Sequence, residues 1–259
     1  MSLHAVDIRT RIFVRESQEF ARLMGASLVG MRDLWHLRRQ VVEAMITFGS
    51  QSAWLVMLAA LFLGLVLALE WGTKLEPFGA KLLMGRIVAV AVVREIGPMI
   101  TGLMVAGRTG AKMAAEIGSM KTTDQIDALR ALGMDPVSRL VTPRVVACTL
   151  TMFPLTLLAD AVAILGGWFV AIQWLDISSH FYWTAAIDSL SFKDLAVGYV
   201  KPFVFGYMIA TITAYFGMST TGGSAGVGTS ATRAVMFSSL SILIMDFVLG
   251  KLVLAVFGS

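Results

Sequence analysis

Apolar residues run along this chain in blocks too long for the interior of a water-soluble domain. Ala44–Leu69 contains no charged residue, and neither does Pro202–Thr232. A hydrocarbon core of about 30 Å is crossed by roughly 20 mostly apolar helical residues, so both blocks predict membrane spans. The same pattern predicts five spans in all, at about Met45–Leu69, Leu82–Gly107, Val145–Leu175, Leu195–Met218 and Ala234–Phe257. The expected fold is all-α and polytopic. Glu70, Trp71, Lys74 and Glu76 predict a short interfacial turn after the first span. Residues 108–144 read as a polar connection carrying Arg108, Lys112, Lys121, Arg130, Arg139 and Arg144. Asp176–Asp194, with Tyr182 and Trp183, reads as another, with room for a short helix on the membrane surface.

Ahead of the spans, residues 1–40 carry Arg9, Arg11, Arg15, Arg22, Arg32, Arg38 and Arg39. Phe13, Phe20, Met24, Leu28, Met31 and Trp35 recur between them at near-helical spacing. That alternation fits an amphipathic helix in the headgroup layer of an anionic leaflet, or else a solvated tail. Met1–Gln40 is too long and polar for the start of a signal peptide, so no cleaved leader is expected.

Composition agrees with the membrane reading: 57% of residues are hydrophobic and 15% charged, with a mean hydropathy of +0.77. The net charge of +4 would suggest a nucleic-acid partner only if it gathered on a soluble domain. Here the basic residues lie between spans, and their asymmetry sets orientation instead. The N-terminal segment, the 108–144 connection and Arg233 share one side, predicting a cytoplasmic N-terminus and an outward C-terminus. No nucleic acid is expected as a partner. The lone Cys148 lies in an apolar block, and His4, His36 and His180 are scattered, so neither a disulfide framework nor a metal cluster is expected. The odd number of spans leaves no two-half inverted repeat, and no glycine spacing of the dimer type stands out within them.

Three stretches carry more specific information. In the connection after span two, Thr122 and Gln125 have capping-box spacing, Ile126, Leu129 and Leu132 recur on one face, and Gly133 followed by Asp135-Pro136 stops the run. They predict a helix over Asp124–Leu132. It is too short to stand alone in water, so it packs either on its own membrane domain or against a partner protein. Arg94 and Glu95 fall in the middle of the predicted second span, followed by Gly97-Pro98, which predicts a kink. Glu95, Asp160 and Asp246 could each meet Arg94 or Lys201 in the bundle, as a structural ion-pair network or as a polar element that responds when a cavity opens. Finally, Thr221–Gly228 is glycine-rich but lacks the lysine and preceding strand of a phosphate loop, and reads as a flexible cytoplasmic turn.

No nucleotide-binding motif, nucleophile elbow or HExxH sequence is present, so any ATP used here is bound by another chain. A secondary transporter with Glu95, Asp160 and Asp246 as a proton relay, and a scaffold without cargo, both remain open on these grounds.

The stretches Arg94-Glu95-Ile96-Gly97-Pro98, Ala106-Gly107-Arg108-Thr109-Gly110 and Ala115-Glu116-Ile117-Gly118-Ser119-Met120, with Asp135-Pro136 and Thr142-Pro143-Arg144, together resemble the MlaE-type permeases of MCE-associated ABC transporters. The resemblance covers nearly the whole chain and is densest over Val93–Arg144. It implies a non-catalytic permease of a Gram-negative inner membrane, with an interfacial helix over 1–40 and one transmembrane domain over 41–259. It further implies a homodimer, a cytoplasmic ABC ATPase pair holding ATP and magnesium, a hexameric MCE-domain ring on the periplasmic side, and a STAS-domain protein. The cargo would be phospholipid, moved between inner and outer membranes from a cavity at the dimer interface lined by spans one, two and five. By this likeness Asp124, Gln125, Ile126, Leu129, Arg130 and Leu132 form a coupling helix within a loop at about 120–136. Leu67, Trp71 and Phe78 are the expected lipid contacts.

Overall fold

The computed structural model describes residues 3–31 and 34–257, the side chains of 3–13, 34–36, 254, 256 and 257 excepted. Arg32 therefore lies outside the described residues, as do the side chains of Arg9, Arg11, Phe13 and Trp35. Within them the chain is helical with no strand: α1 (Leu3–Gly30), α2 (Leu34–Leu75), α3 (Met84–Ala91), α4 (Gly97–Val105), α5 (Ala111–Thr122), α6 (Gln125–Ala131), α7 (Thr142–Gln173), α8 (Ser179–Ser189), α9 (Phe192–Met218) and α10 (Gly223–Phe257). Five stretches are long and apolar enough to cross a membrane: Leu37–Phe78, Lys81–Thr122, Val137–Gln173, Phe192–Met218 and Gly223–Val253.

The number of spans agrees with the hydrophobic pattern, but their ends do not. Helix α2 begins at Leu34 and runs through Glu70, Trp71 and Lys74, so these three do not form the expected turn. Lys74 instead pairs with Glu70 one turn back, at 2.8 Å, and the turn is Glu76–Leu83. Span two continues past Gly107: α3, α4 and α5 join end to end through π-helical turns at Val92–Ile96 and Ala106–Gly110. Much of the expected 108–144 connection is therefore helix, and the true loop is short. Likewise Gly223–Gly228 is not a flexible turn but the start of α10, leaving only Ser219–Gly222 between the last two spans.

Chain reversals put α1, α6 and the α9–α10 turn at one end, the basic end, and α8 at the other. Helix α8 lies on α3 and is fixed by Tyr182, which is fully buried and donates its hydroxyl proton to the Ile164 carbonyl at 2.9 Å. Burial pushes the Tyr182 phenol up from its ordinary value, so it remains a donor across the physiological range.

The tightest packing is between α2 and α7. Along α2, Ser52, Val56, Ala60, Gly64, Ala68 and Gly72 recur every fourth residue, and all are buried. Small residues on one ridge let two backbones approach where no water is available to drive association. A β-carbon on Gly64 would lie 2.0 Å from the Ala163 carbonyl oxygen, and one on Gly166 would lie 2.9 Å from that of Leu61. No glycine spacing stood out in the sequence, because most members of this ridge are alanine, serine or valine.

Most buried hydroxyls are satisfied within the spans, those of Thr101 and Ser238 excepted. Thr151, Thr156 and Thr213 donate to carbonyls four residues back at 2.6, 2.9 and 2.7 Å, and Ser52 bonds Thr109 across helices at 2.8 Å. An apolar span thus carries polar residues without exposing them to hydrocarbon.

Candidate functional site

Two features stand apart from ordinary span packing: a cluster of charges inside the bundle and a short helix at the basic end.

The cluster centres on Lys201 of α9, whose side chain is 1% exposed. Its ammonium donates to Glu95, in the π-helical turn ahead of α4, and to Asp246 of α10 at 2.8 Å. One cation therefore ties three helical segments together. The π-helical turn makes this possible. Gly97 N–H bonds the Val92 carbonyl five residues back, and the wider turn re-aims Glu95 relative to a regular helix. The break expected at Gly97-Pro98 takes this form: the wider turn lies just before Pro98, which has no N–H to return to the preceding turn of the continuous helix.

Two expectations for these charges require correction. Arg94 meets none of Glu95, Asp160 and Asp246: it reaches Asp194 near the start of α9, at 3.4 Å. Because span two extends to Thr122, Arg94 lies toward the end opposite the basic one rather than at mid-span, within reach of Asp194. Asp194 also closes a capping box with Ser191, a feature the sequence reading passed over although the Ser191/Asp194 spacing displays it. Asp160 meets neither Arg94 nor Lys201. It is 3% exposed, and its carboxylate oxygens have no hydrogen-bond partner among the described residues. A β-carbon at Gly97 would lie 1.7 Å from Asp160 Oδ1, so only glycine leaves room for this carboxyl group.

At the basic end, α6 spans Gln125–Ala131, close to the expected limits, but its start is built differently. The predicted Thr122–Gln125 capping box does not form. Helix α5 runs through Thr122, and the Thr122 and Thr123 hydroxyls donate back to the Ser119 carbonyl at 3.1 and 2.8 Å. Gln125 bonds the Thr123 hydroxyl at 3.0 Å. Asp124 makes the corner in left-handed backbone, with φ of 59°. The stop is as expected. Gly133 has φ of 74°, and Gly133 and Met134 N–H bond the Arg130 and Leu129 carbonyls at 2.9 and 3.0 Å, the Schellman pattern. Beyond it, Asp135 accepts from Val137 and Ser138 N–H at 3.2 and 3.0 Å and starts the chain toward α7.

The face of α6 is graded. Ile126 is fully buried and anchors the helix on its own domain; Leu129 is half-buried; Leu132 is 70% exposed. Arg130 and Lys121 flank Asp127 at 3.0 and 2.9 Å. Lys121, the larger influence, holds the Asp127 carboxyl below its ordinary range. At the same end, between α2, α5 and the segment leading into α7, Lys112, Glu116, Arg139 and Arg144 line a cavity of about 490 Å³. Among the described residues no group of His, Cys, Asp and Glu could hold a metal ion.

A family model described as "Permease MlaE" matches residues 41–252. The chain belongs to the MlaE permease family. It is 39% identical over 216 residues to a probable ABC transporter permease protein of Rickettsia typhi, covering 83% of each chain. The intermembrane phospholipid transport system permease protein MlaE of Haemophilus influenzae is 35% identical over 210 residues, 81% of this chain and 80% of that one. A chloroplastic protein of Arabidopsis thaliana, TRIGALACTOSYLDIACYLGLYCEROL 1, is 35% identical over 213 residues, 82% of this chain and 61% of its own.

The matched region contains α6 and the whole Lys201 cluster. It also includes the expected lipid contacts of the MlaE resemblance, which do not converge within one chain. Leu67 packs partly against the core, whereas Trp71 and Phe78 are 44% and 83% exposed.

Proposed function

We propose that this chain is the membrane-spanning, non-catalytic subunit of an ATP-driven phospholipid transporter. It would lie in the inner membrane of a Gram-negative bacterium, with its N-terminus cytoplasmic and its C-terminus periplasmic. The observation that carries the reading is α6. A separately started and stopped helix, seated through Ile126, leaves Leu132 exposed at the end of a continuous 42-residue span. That surface suits a cytoplasmic ATPase pair, which would bind ATP and magnesium and push on α6. Names of relatives support the cargo, since the Haemophilus protein is named for intermembrane phospholipid transport.

A second copy of the chain would complete the lipid cavity. Trp71 and Phe78 at the end of span one would then face spans of the partner, with Leu67 deeper, and acyl chains would be held by apolar burial of about 0.8 kcal/mol per methylene. A hexameric MCE-domain ring would sit on the periplasmic face and a STAS-domain protein beside the ATPase. ATP-driven closure would move α6 and, through the rigid span, the cavity.

The test combines native mass spectrometry of the gently extracted complex with Leu129→Asp. Two copies of this chain with two ATPase subunits and retained phospholipid are expected, and Leu129→Asp should abolish lipid-stimulated ATPase activity while the permease still folds. Intact ATPase binding and coupling in Leu129→Asp would sink the coupling role. The unpartnered Asp160 favours a second reading, an ion-coupled transporter. Uptake driven by a proton gradient in vesicles lacking any ATPase would establish that one instead.

A further inference from the structure

At the basic end α1 packs on the segment leading into α7 and on α9. It touches α9 through Phe20, whose ring meets Tyr215 edge-on at 5.7 Å, and through the Met24 carbonyl, which accepts from the Tyr207 hydroxyl at 3.0 Å. Between α1, α9 and the first turns of α10 these contacts frame a cavity of about 800 Å³, within the range of small-ligand sites. One wall is aromatic: Phe20 and the pair Phe216 and Phe237, stacked with ring centroids 5.2 Å apart. On α10 one turn before Phe237, among the hydroxyls of Thr229 and Ser230, Arg233 also lines the cavity and has no carboxylate partner among the described residues. Across the cavity α1 contributes Glu16. From Phe237 an apolar stripe continues along α10 through Leu240 and Ile244, 54% and 56% exposed.

Each part selects a different portion of one ligand. A guanidinium lining the same cavity as several hydroxyls suits a phosphodiester. A carboxylate on the far wall suits an ammonium group. Aromatic rings at the membrane boundary suit the glycerol and upper acyl region, and the α10 stripe suits acyl chains. A free phosphate ion would use only the first of these and leave the aromatic wall wet. We propose that this cavity binds a zwitterionic phospholipid of the leaflet at the basic end, its phosphate on Arg233, its amine toward Glu16 and its chains along α10. The site lies at the other end of the bundle from the transport cavity proposed above and stands independently of it.

The test places a photoreactive p-benzoylphenylalanine at Thr229, in the cavity wall, in the full chain reconstituted in vesicles of phosphatidylethanolamine and phosphatidylglycerol. Leu150, exposed on α7, carries the same group as a control for bulk lipid. The expected result is a phosphatidylethanolamine adduct at Thr229 well above the Leu150 level. Arg233→Gln should reduce it about tenfold, as expected for loss of one charge-assisted pair. Arg233→Lys should keep most of the yield, which separates lost recognition from lost folding. Glu16→Gln should shift the adducts toward phosphatidylglycerol. Equal yields at Thr229 and Leu150 would overturn the proposal, as would displacement of the lipid by inorganic phosphate. An adduct to a second copy of the chain would make this face an interface between copies, and would also overturn it. None of these failures would touch the coupling role of α6.

Discussion

The α2–α7 seam and the junction of α4, α9 and α10 hold helices together by opposite means. In the seam, small residues bring two backbones together, and shape alone sets the register. In the junction, Lys201 draws in Glu95 and Asp246, and charge does what packing does not. Burial sets α10 apart from the other spans: 28%, 44%, 50% and 56% of the most apolar stretches of the first four lie buried within the chain, but only 11% of that of α10. A helix with so little packing of its own needs a directional tie, and the buried ammonium supplies one. A shape-based seam resists sliding at every residue, whereas a single ionic tie can be made or broken at one point. The bundle therefore combines a rigid pair with a conditionally attached helix.

Removing the tie is the harshest way to break this comparison. Lys201→Met leaves Glu95 and Asp246, 42% and 16% exposed, without their cation, and loss of charge-assisted hydrogen bonds at two such carboxylates costs about 1.5–3 kcal/mol each. Thermal melting in mild detergent should show the drop, and adding Glu95→Gln and Asp246→Asn should restore much of it. A melting point unchanged by Lys201→Met would mean that α10 is held by something else. Next in size is the seam. Gly64→Leu drives a side chain into the Ala163 carbonyl, and overpacking of this kind costs about 1–3 kcal/mol or more. Gly25→Ala, on α1 with nothing within 4 Å of an added β-carbon, is the matched control and should melt like the parent. The smallest effect belongs to the surface. Asp127→Asn should leave melting unchanged, because exposed ion pairs contribute little. Its signature is in pH instead. Lys121 lowers the folded-state value of Asp127, so its contribution is complete above the ordinary carboxylate range and fades as pH falls through that lowered value. A carboxyl-carbon titration by NMR should find the midpoint below that of an unstructured aspartate, and an ordinary midpoint would remove Lys121 as its partner.

The five spans were legible in the sequence because hydrocarbon demands long uncharged helices, and Ala44–Leu69 and Pro202–Thr232 contain no charge. Their ends were not, because outside hydrocarbon polar residues remain helical when a neighbouring helix supports them, as at Ala111–Thr122 and Gly223–Gly228. Thr122–Gln125 has a capping-box pattern, yet α5 passes through it, since a hydroxyl can return its bond to the preceding turn as readily as cap the next. Of the five charges expected to meet inside the bundle, Glu95, Lys201 and Asp246 form the cluster, while Arg94 and Asp160 stand outside it, and the pairing could not be read in advance. Which carboxylate reaches Lys201 depends on the π-helical turn at Val92–Ile96, and that turn leaves no periodic trace in the residues.

That turn also has a mechanical meaning. Between it and the corner at Asp124 runs a nearly unbroken rod, about 40 Å long at 1.5 Å per residue. Glu95 sits at the pivot of this lever and α6 at its far tip. A tilt of about 3° at the pivot carries the tip about 2 Å, on the order of the helix shifts seen at subunit interfaces. A force too small to unfold anything at α6 is therefore felt where Lys201 holds Glu95 and Asp246.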